Sequence, residues 1–152
     1  MKLSYVLLLG LFLMSIVIAA PPVQQSVVST VGINIEVPIQ EYIKINETYK
    51  FHIHAHNSTS GLLLDNTTTV CVIHIYDGGG NHIIEDNMSF DSNGVDFKYE
   101  VLGGNFSTSG MYAILLFCEV PGKIGGFFEY GVDVTTTGGP TPTGVQYFRV
   151  FY

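Results

Sequence analysis

Thr69-Val70-Cys71-Val72-Ile73-His74-Ile75-Tyr76, set beside Tyr112-Ala113-Ile114-Leu115-Leu116-Phe117-Cys118, decides how the chain reads. Each run is short, apolar, rich in β-branched or aromatic residues, and carries one of the two cysteines. Runs of that length and composition between turn formers are buried strands. In the first, Cys71, Ile73 and Ile75 face a core, with Val72, His74 and Tyr76 opposite. In the second, Tyr112, Ile114, Leu116 and Cys118 share one face, but Ala113, Leu115 and Phe117 make the other apolar as well. A strand greasy on both sides is either central and covered, or it exposes a contact surface. A Cys71–Cys118 bridge closes a loop of 48 residues, worth on the order of 4 kcal/mol in the chain-entropy model. We expect it to hold two facing sheets of a β-sandwich together. A two-cysteine metal site would need closer cysteine spacing.

On either side of these runs the same alternation recurs. Ile33, Ile35 and Val37 alternate with Asn34 and Glu36 up to Pro38, and Tyr42 to Ile45 is a short second piece. Tyr49, Phe51, Ile53 and Ala55 share one face of the next strand, with Lys50, His52, His54 and His56 on the other. Asp77-Gly78-Gly79-Gly80-Asn81 is a turn, and His82 to Phe90 reads as one strand with Ile84, Met88 and Phe90 inward. Asn93-Gly94 predicts a hairpin turn with positive φ at those residues. Val95, Phe97, Tyr99 and Val101 then alternate with Asp96, Lys98 and Glu100, Phe106 anchors a loop, and Phe128, Tyr130, Val132 and Val134 mark a last strand. The pattern predicts an all-β antiparallel sandwich of about seven to eight strands over residues 33–135.

The flanks differ in character. Residues 1–20 carry Lys2, an apolar run from Val6 to Ile18 and Ala19-Ala20, the layout of a signal peptide forming an apolar N-terminal export helix. Pro21 after the cleavage point, and a Leu3–Ala20 run near the about 17–25 residues that span a bilayer, keep an uncleaved N-terminal anchor open. Residues 21–32 form a tether, 136–144 a Thr/Pro/Gly linker and 145–152 an apolar C-terminal stub too short to cross a membrane. We therefore expect an exported protein: secreted, periplasmic, or on a virion or cell surface. Membrane attachment is expected only through the N-terminal segment or through a hydrophobic segment missing beyond Tyr152. Without residues 1–20 the chain has five basic against thirteen acidic side chains. That balance repels nucleic acid and anionic lipid.

Two resemblances attach to particular residues. Gly110-Met111-Tyr112 resembles the corner turn of immunoglobulin-like sandwiches, although Tyr112 lies six residues before Cys118 instead of two and the chain has no tryptophan. Together with Phe51-His52-Ile53-His54, Thr67 to Tyr76, Asp91 to Phe97 and Gly125-Gly126-Phe127, the style of the sequence is similar to small secreted immunoglobulin-like proteins predicted from environmental tailed-phage genomes. This implies an immunoglobulin-like fold over roughly residues 33–137. Phe51-His52-Ile53-His54 also resembles the copper-binding Phe-His-Val-His stretch of Cu/Zn superoxide dismutases, which implies copper ligation and a redox activity. No zinc loop with histidines and an aspartate follows, and the family's Gly-rich signature around its last histidine is missing.

The chemistry-bearing residues are few. His52, His54 and His56 project from one strand face about 7 Å apart per step, a spacing at which imidazoles can share Zn or Cu. His74 joins them if the strand pairs with residues 69–76. There is no Gly-x-Ser-x-Gly and no reduced Cys–His pair. Glu85 and Asp86, being adjacent, point to opposite faces, and Gly78-Gly79-Gly80 has no Lys-Ser/Thr helix start after it. Asn46, Asn57, Asn66, Asn87 and Asn105 fit the glycosylation acceptor pattern within an Asn/Ser/Thr-rich composition. Phe106, Phe127, Tyr147 and Phe148 are aromatics near loops that either pack in the core or hold a sugar or protein surface. The expected function is thus a non-catalytic surface-contact module, in adhesion, virion decoration or host-surface and glycan binding, with an unidentified protein or glycan surface as partner and no cofactor. The alternatives are a Zn- or Cu-binding sandwich using His52, His54, His56 and His74, and a structural spacer.

Overall fold

The computed structural model of the protein describes residues 31–140. The expected export helix, most of the tether and the C-terminal stub lie outside the described residues. The alternating runs become nine strands: β1 (Ile33–Glu36), β2 (Tyr42–Lys44), β3 (Tyr49–Asn57), β4 (Val70–Tyr76), β5 (His82–Asn87), β6 (Ser89–Asp91), β7 (Asp96–Val101), β8 (Gly110–Val120) and β9 (Ile124–Thr135). A 3-10 turn at Gly103–Phe106 links β7 to β8. The strands form two sheets, ordered β1-β3-β7-β6 and β2-β9-β8-β4-β5. Neighbours run antiparallel except β2 and β9, which pair in parallel from Tyr42↔Asp133 to Lys44↔Thr135.

The inward residues are those the alternation selects. Phe51, Ile53, Ala55, Phe97 and Val101 from the first sheet are buried, as are Ile73, Ile75, Ile114, Leu116, Phe128, Val132 and Val134 from the second. Apart from the smaller Ala55, each such side chain contributes about 1.5–3 kcal/mol by leaving water, so this shared layer holds the two sheets together. Tyr112 is buried too, and its hydroxyl donates to the carbonyl oxygen of Thr108 at 3.1 Å. Phe106, the expected loop anchor, is fully buried and meets the Tyr112 ring edge-on at 5.4 Å.

Three expectations are corrected. Cys71 and Cys118 are bonded, but they stand directly opposite each other on neighbouring strands, with Cα atoms 4.1 Å apart. The bridge therefore staples β4 to β8 within one sheet instead of tying two sheets together. Alternation assigns both residues to the inward face, and adjacent strands bring inward Cβ atoms as close as facing sheets do.

His82 to Phe90 is the second correction, because it divides between the two sheets. Met88, buried, donates its N–H to the Cys71 carbonyl at 2.8 Å, and from Ser89 onward the chain pairs with β7. Below it, β5 is irregular: Ile84 pairs with Ile75 but His82 pairs with Tyr76, so Ile83 is an extra residue.

The third concerns the β6–β7 hairpin. Asp91 faces Asp96 across the loop Ser92–Val95, and the positive φ falls on Val95 (51°), not on Asn93 or Gly94. At Gly94 a Cβ would lie 2.6 Å from an Asp96 carboxylate oxygen, so any larger residue there makes the Asp96 side chain shift.

Candidate functional site

All five histidines of the chain lie within the described residues. His52, His54 and His56 stand on the outer face of β3, as the period-two pattern requires. Each turns to a different partner. His52 Nδ1 is 4.0 Å from an Asp96 carboxylate oxygen, His54 Nδ1 donates to the Val95 carbonyl at 3.2 Å, and His56 Nε2 donates to Glu36 at 3.3 Å. The His54 and His56 ring centroids are 6.4 Å apart. β3 pairs with β1 and β7, not with β4. His74 accordingly lies on the outer face of the opposite sheet and does not join the row.

Asp96 belongs to the same outer face yet is buried, which alternation alone does not foresee. Lys98 covers it, with Nζ 3.5 Å from one carboxylate oxygen, and at the same time donates to Asp91. That bond, with the N–H of Asn93, holds the Asp91 carboxyl below its ordinary value, and the same bond raises Lys98. The carboxylate pair at the neighbouring edge separates as expected: Glu85 is opposite His74, while Asp86 accepts from the Tyr99 hydroxyl at 3.3 Å.

On the second sheet the β5 irregularity assembles something the sequence pattern does not announce. Counting by twos from Glu85 puts His82 on the core side. The extra residue at Ile83 reverses that parity, and His82 emerges on the outer face opposite Tyr76. There its ring stacks on Tyr76, centroids 4.5 Å apart at 16°, and its Nε2 lies 3.2 Å from His74 Nδ1. Glu85 reaches to 3.8 Å from His82 Nδ1. Among the described residues, His74, His82 and Glu85 are the group of three metal-ligating side chains whose donor atoms all fall within 4.8 Å of one another.

Next to this group the outer face turns apolar. Across β4, β8 and β9 the register aligns Val72, Phe117 and Phe127 in one row, His74, Leu115 and Glu129 in the next, and Tyr76, Ala113 and Gly131 in a third. Phe127 is 68% exposed, Met111 59% and Val70 43%. Glu119, Glu129 and Asp133 border the patch. The double-sided greasiness of β8 is thus resolved: one side is core, and the other is outward, with no further layer over it among the described residues. Of the aromatics singled out in the sequence, Phe127 is exposed and Phe106 is not, while Tyr147 and Phe148 lie outside the described residues. No helix among the described residues is long and apolar enough to cross a membrane, and the disulfide suits an oxidising, extracellular setting.

No protein-family model matches the chain, and no curated protein matches it.

Proposed function

We propose that this chain is an exported, non-catalytic immunoglobulin-like module that works by surface contact through the outer face of β4, β8 and β9. The observation carrying the reading is the apolar patch of Val70, Val72, Leu115, Phe117, Phe127 and Met111, open to solvent at Phe127 and Met111. A contiguous apolar patch open to water on a sheet face marks a contact surface. The acidic border of Glu119, Glu129 and Asp133 favours a protein surface with basic residues around an apolar centre.

The immunoglobulin-like part of the reading is supported by strand order and by one corner. The order β1-β3-β7-β6, facing a five-stranded sheet β2-β9-β8-β4-β5 in which β4, β8 and β9 are consecutive, resembles the two sheets of that class. Tyr112, bonded back to the Thr108 carbonyl, resembles its corner device. The bridge departs from the class, since it joins neighbouring strands where immunoglobulin domains join facing ones. Export is supported by the leader-like residues 1–20 and by the bridge.

The test is capture of the purified protein on arrays of cell-surface proteins and of glycans. Phe127→Asp should lower capture at least tenfold while changing stability by no more than about 0.5 kcal/mol. Capture on the glycan array alone, capture indifferent to Phe127→Asp, or no capture on either array overturns the proposal.

A further inference from the structure

We propose that His74, His82 and Glu85 form a binding site for a divalent transition ion of the Zn2+ or Cu2+ class at the β4–β5 edge of the five-stranded sheet. The site is independent of the contact-face reading and differs from the His52, His54, His56 row in both position and geometry.

Donor spacing is the first argument. Two imidazole nitrogens bound to one tetrahedral ion at 2.0–2.1 Å stand about 3.3 Å apart. His74 Nδ1 and His82 Nε2 are already 3.2 Å apart, so an ion can replace their mutual hydrogen bond with little movement of the backbone. Glu85 supplies the third donor: one ligand atom from each of His74, His82 and Glu85 lies within 4.8 Å of the others. Two imidazoles and a carboxylate suit Zn2+ and Cu2+ and are a poor match for the all-oxygen preference of Ca2+ or Mg2+.

Preorganisation is the second. The irregularity at Ile83 brings His82 to the face where His74 already points, and bulges of this kind re-aim side chains at sites. The Tyr76 ring, stacked on His82 at 4.5 Å, fixes the imidazole plane. The rigid β4–β8 pair, stapled by Cys71–Cys118, carries His74. Glu85 and His82 are exposed and His74 is half-buried, so an ion has an entry path and room for a water as fourth ligand.

The experiment is calorimetric titration of the metal-free protein with Zn2+, Cu2+ and, as a control, Ca2+, on the wild type, His82→Ala, His74→Gln and His54→Ala. One Zn2+ or Cu2+ per chain is expected. Affinity should fall at least tenfold in His82→Ala and in His74→Gln, stay unchanged in His54→Ala, and be absent for Ca2+. Imidazole NMR on the wild type gives a readout that does not depend on a variant folding: the His74 and His82 ring signals shift or broaden with the ion, and those of His52, His54 and His56 do not. No uptake by the wild type, undiminished affinity in His82→Ala, or ring shifts confined to His52, His54 and His56 overturns the proposal.

Discussion

Lys98 holds the base of the β6–β7 hairpin by bridging two carboxylates, Asp91 on the neighbouring strand and Asp96 on its own. Its bond to Asp91, followed by the Asn93 N–H, is what keeps that carboxyl below the ordinary range. Asp65 and Asp77 are displaced in the same direction, the first chiefly by the Thr67 hydroxyl and the second chiefly by the Asn81 side-chain amide. A carboxyl whose folded value is depressed contributes stability that is fully present above its unfolded value and is lost as pH falls through the folded one. In Lys98→Met the Asp91 carboxyl should therefore titrate closer to an ordinary aspartate by NMR, and acid unfolding followed by circular dichroism should begin at higher pH. An Asp91 titration unchanged by the substitution would show that the turn N–H groups alone set it. Residue orientation was largely legible beforehand, because period two assigns a side to every position of a regular strand. It failed at His82, where a single extra residue inverts the count, and nothing in Asn81-His82-Ile83-Ile84 marks where that residue falls.

β4 and β8 lie side by side within the five-stranded sheet, and their bridge acts on the unfolded chain more than on the sheet. Cys71 and Cys118 are already adjacent through the ladder from Val70↔Glu119 to Tyr76↔Ala113. The bridge removes freedom from a long loop of denatured chain. The double variant Cys71→Ala/Cys118→Ala should lose on the order of 4 kcal/mol in chemical denaturation while keeping its strand spectrum in the absence of denaturant. A loss below about 1 kcal/mol would mean the denatured chain is already compact there. The existence of both strands and the identity of the bonded pair could be read from composition and from the count of two cysteines. Which strand neighbours which could not, since adjacency is decided by contacts distant in the chain. For the same reason His74 could be read as a candidate ligand while its companions could not.

At the scale of the molecule, the two sheets are joined without a covalent tie between them. The apolar layer does most of this, helped by the five places where the chain passes from one sheet to the other: β1 to β2, β2 to β3, β3 to β4, β5 to β6 through Met88, and β7 to β8. One contact between the sheets is unusually close: a Cβ on Gly126 of β9 would lie 2.0 Å from the Ile33 carbonyl oxygen of β1. Gly126→Val should cost about 1–3 kcal/mol as overpacking and speed amide exchange along Ile33–Glu36. Unchanged exchange there would show that β1 is held by β3 alone. The all-β class was legible because alternation recurs in nearly every segment, and the crossovers were not, because Met88 sits in what reads as one unbroken strand. The parallel pairing of β2 with β9 has a mechanical consequence. These strands lie near opposite ends of the folded region and run the same way, so tension between those ends slides them lengthwise past each other. The bonds of Tyr42–Lys44 with Asp133–Thr135 then bear the load together instead of unzipping one by one, and the domain resists stretching along the chain far better than it resists peeling from an edge.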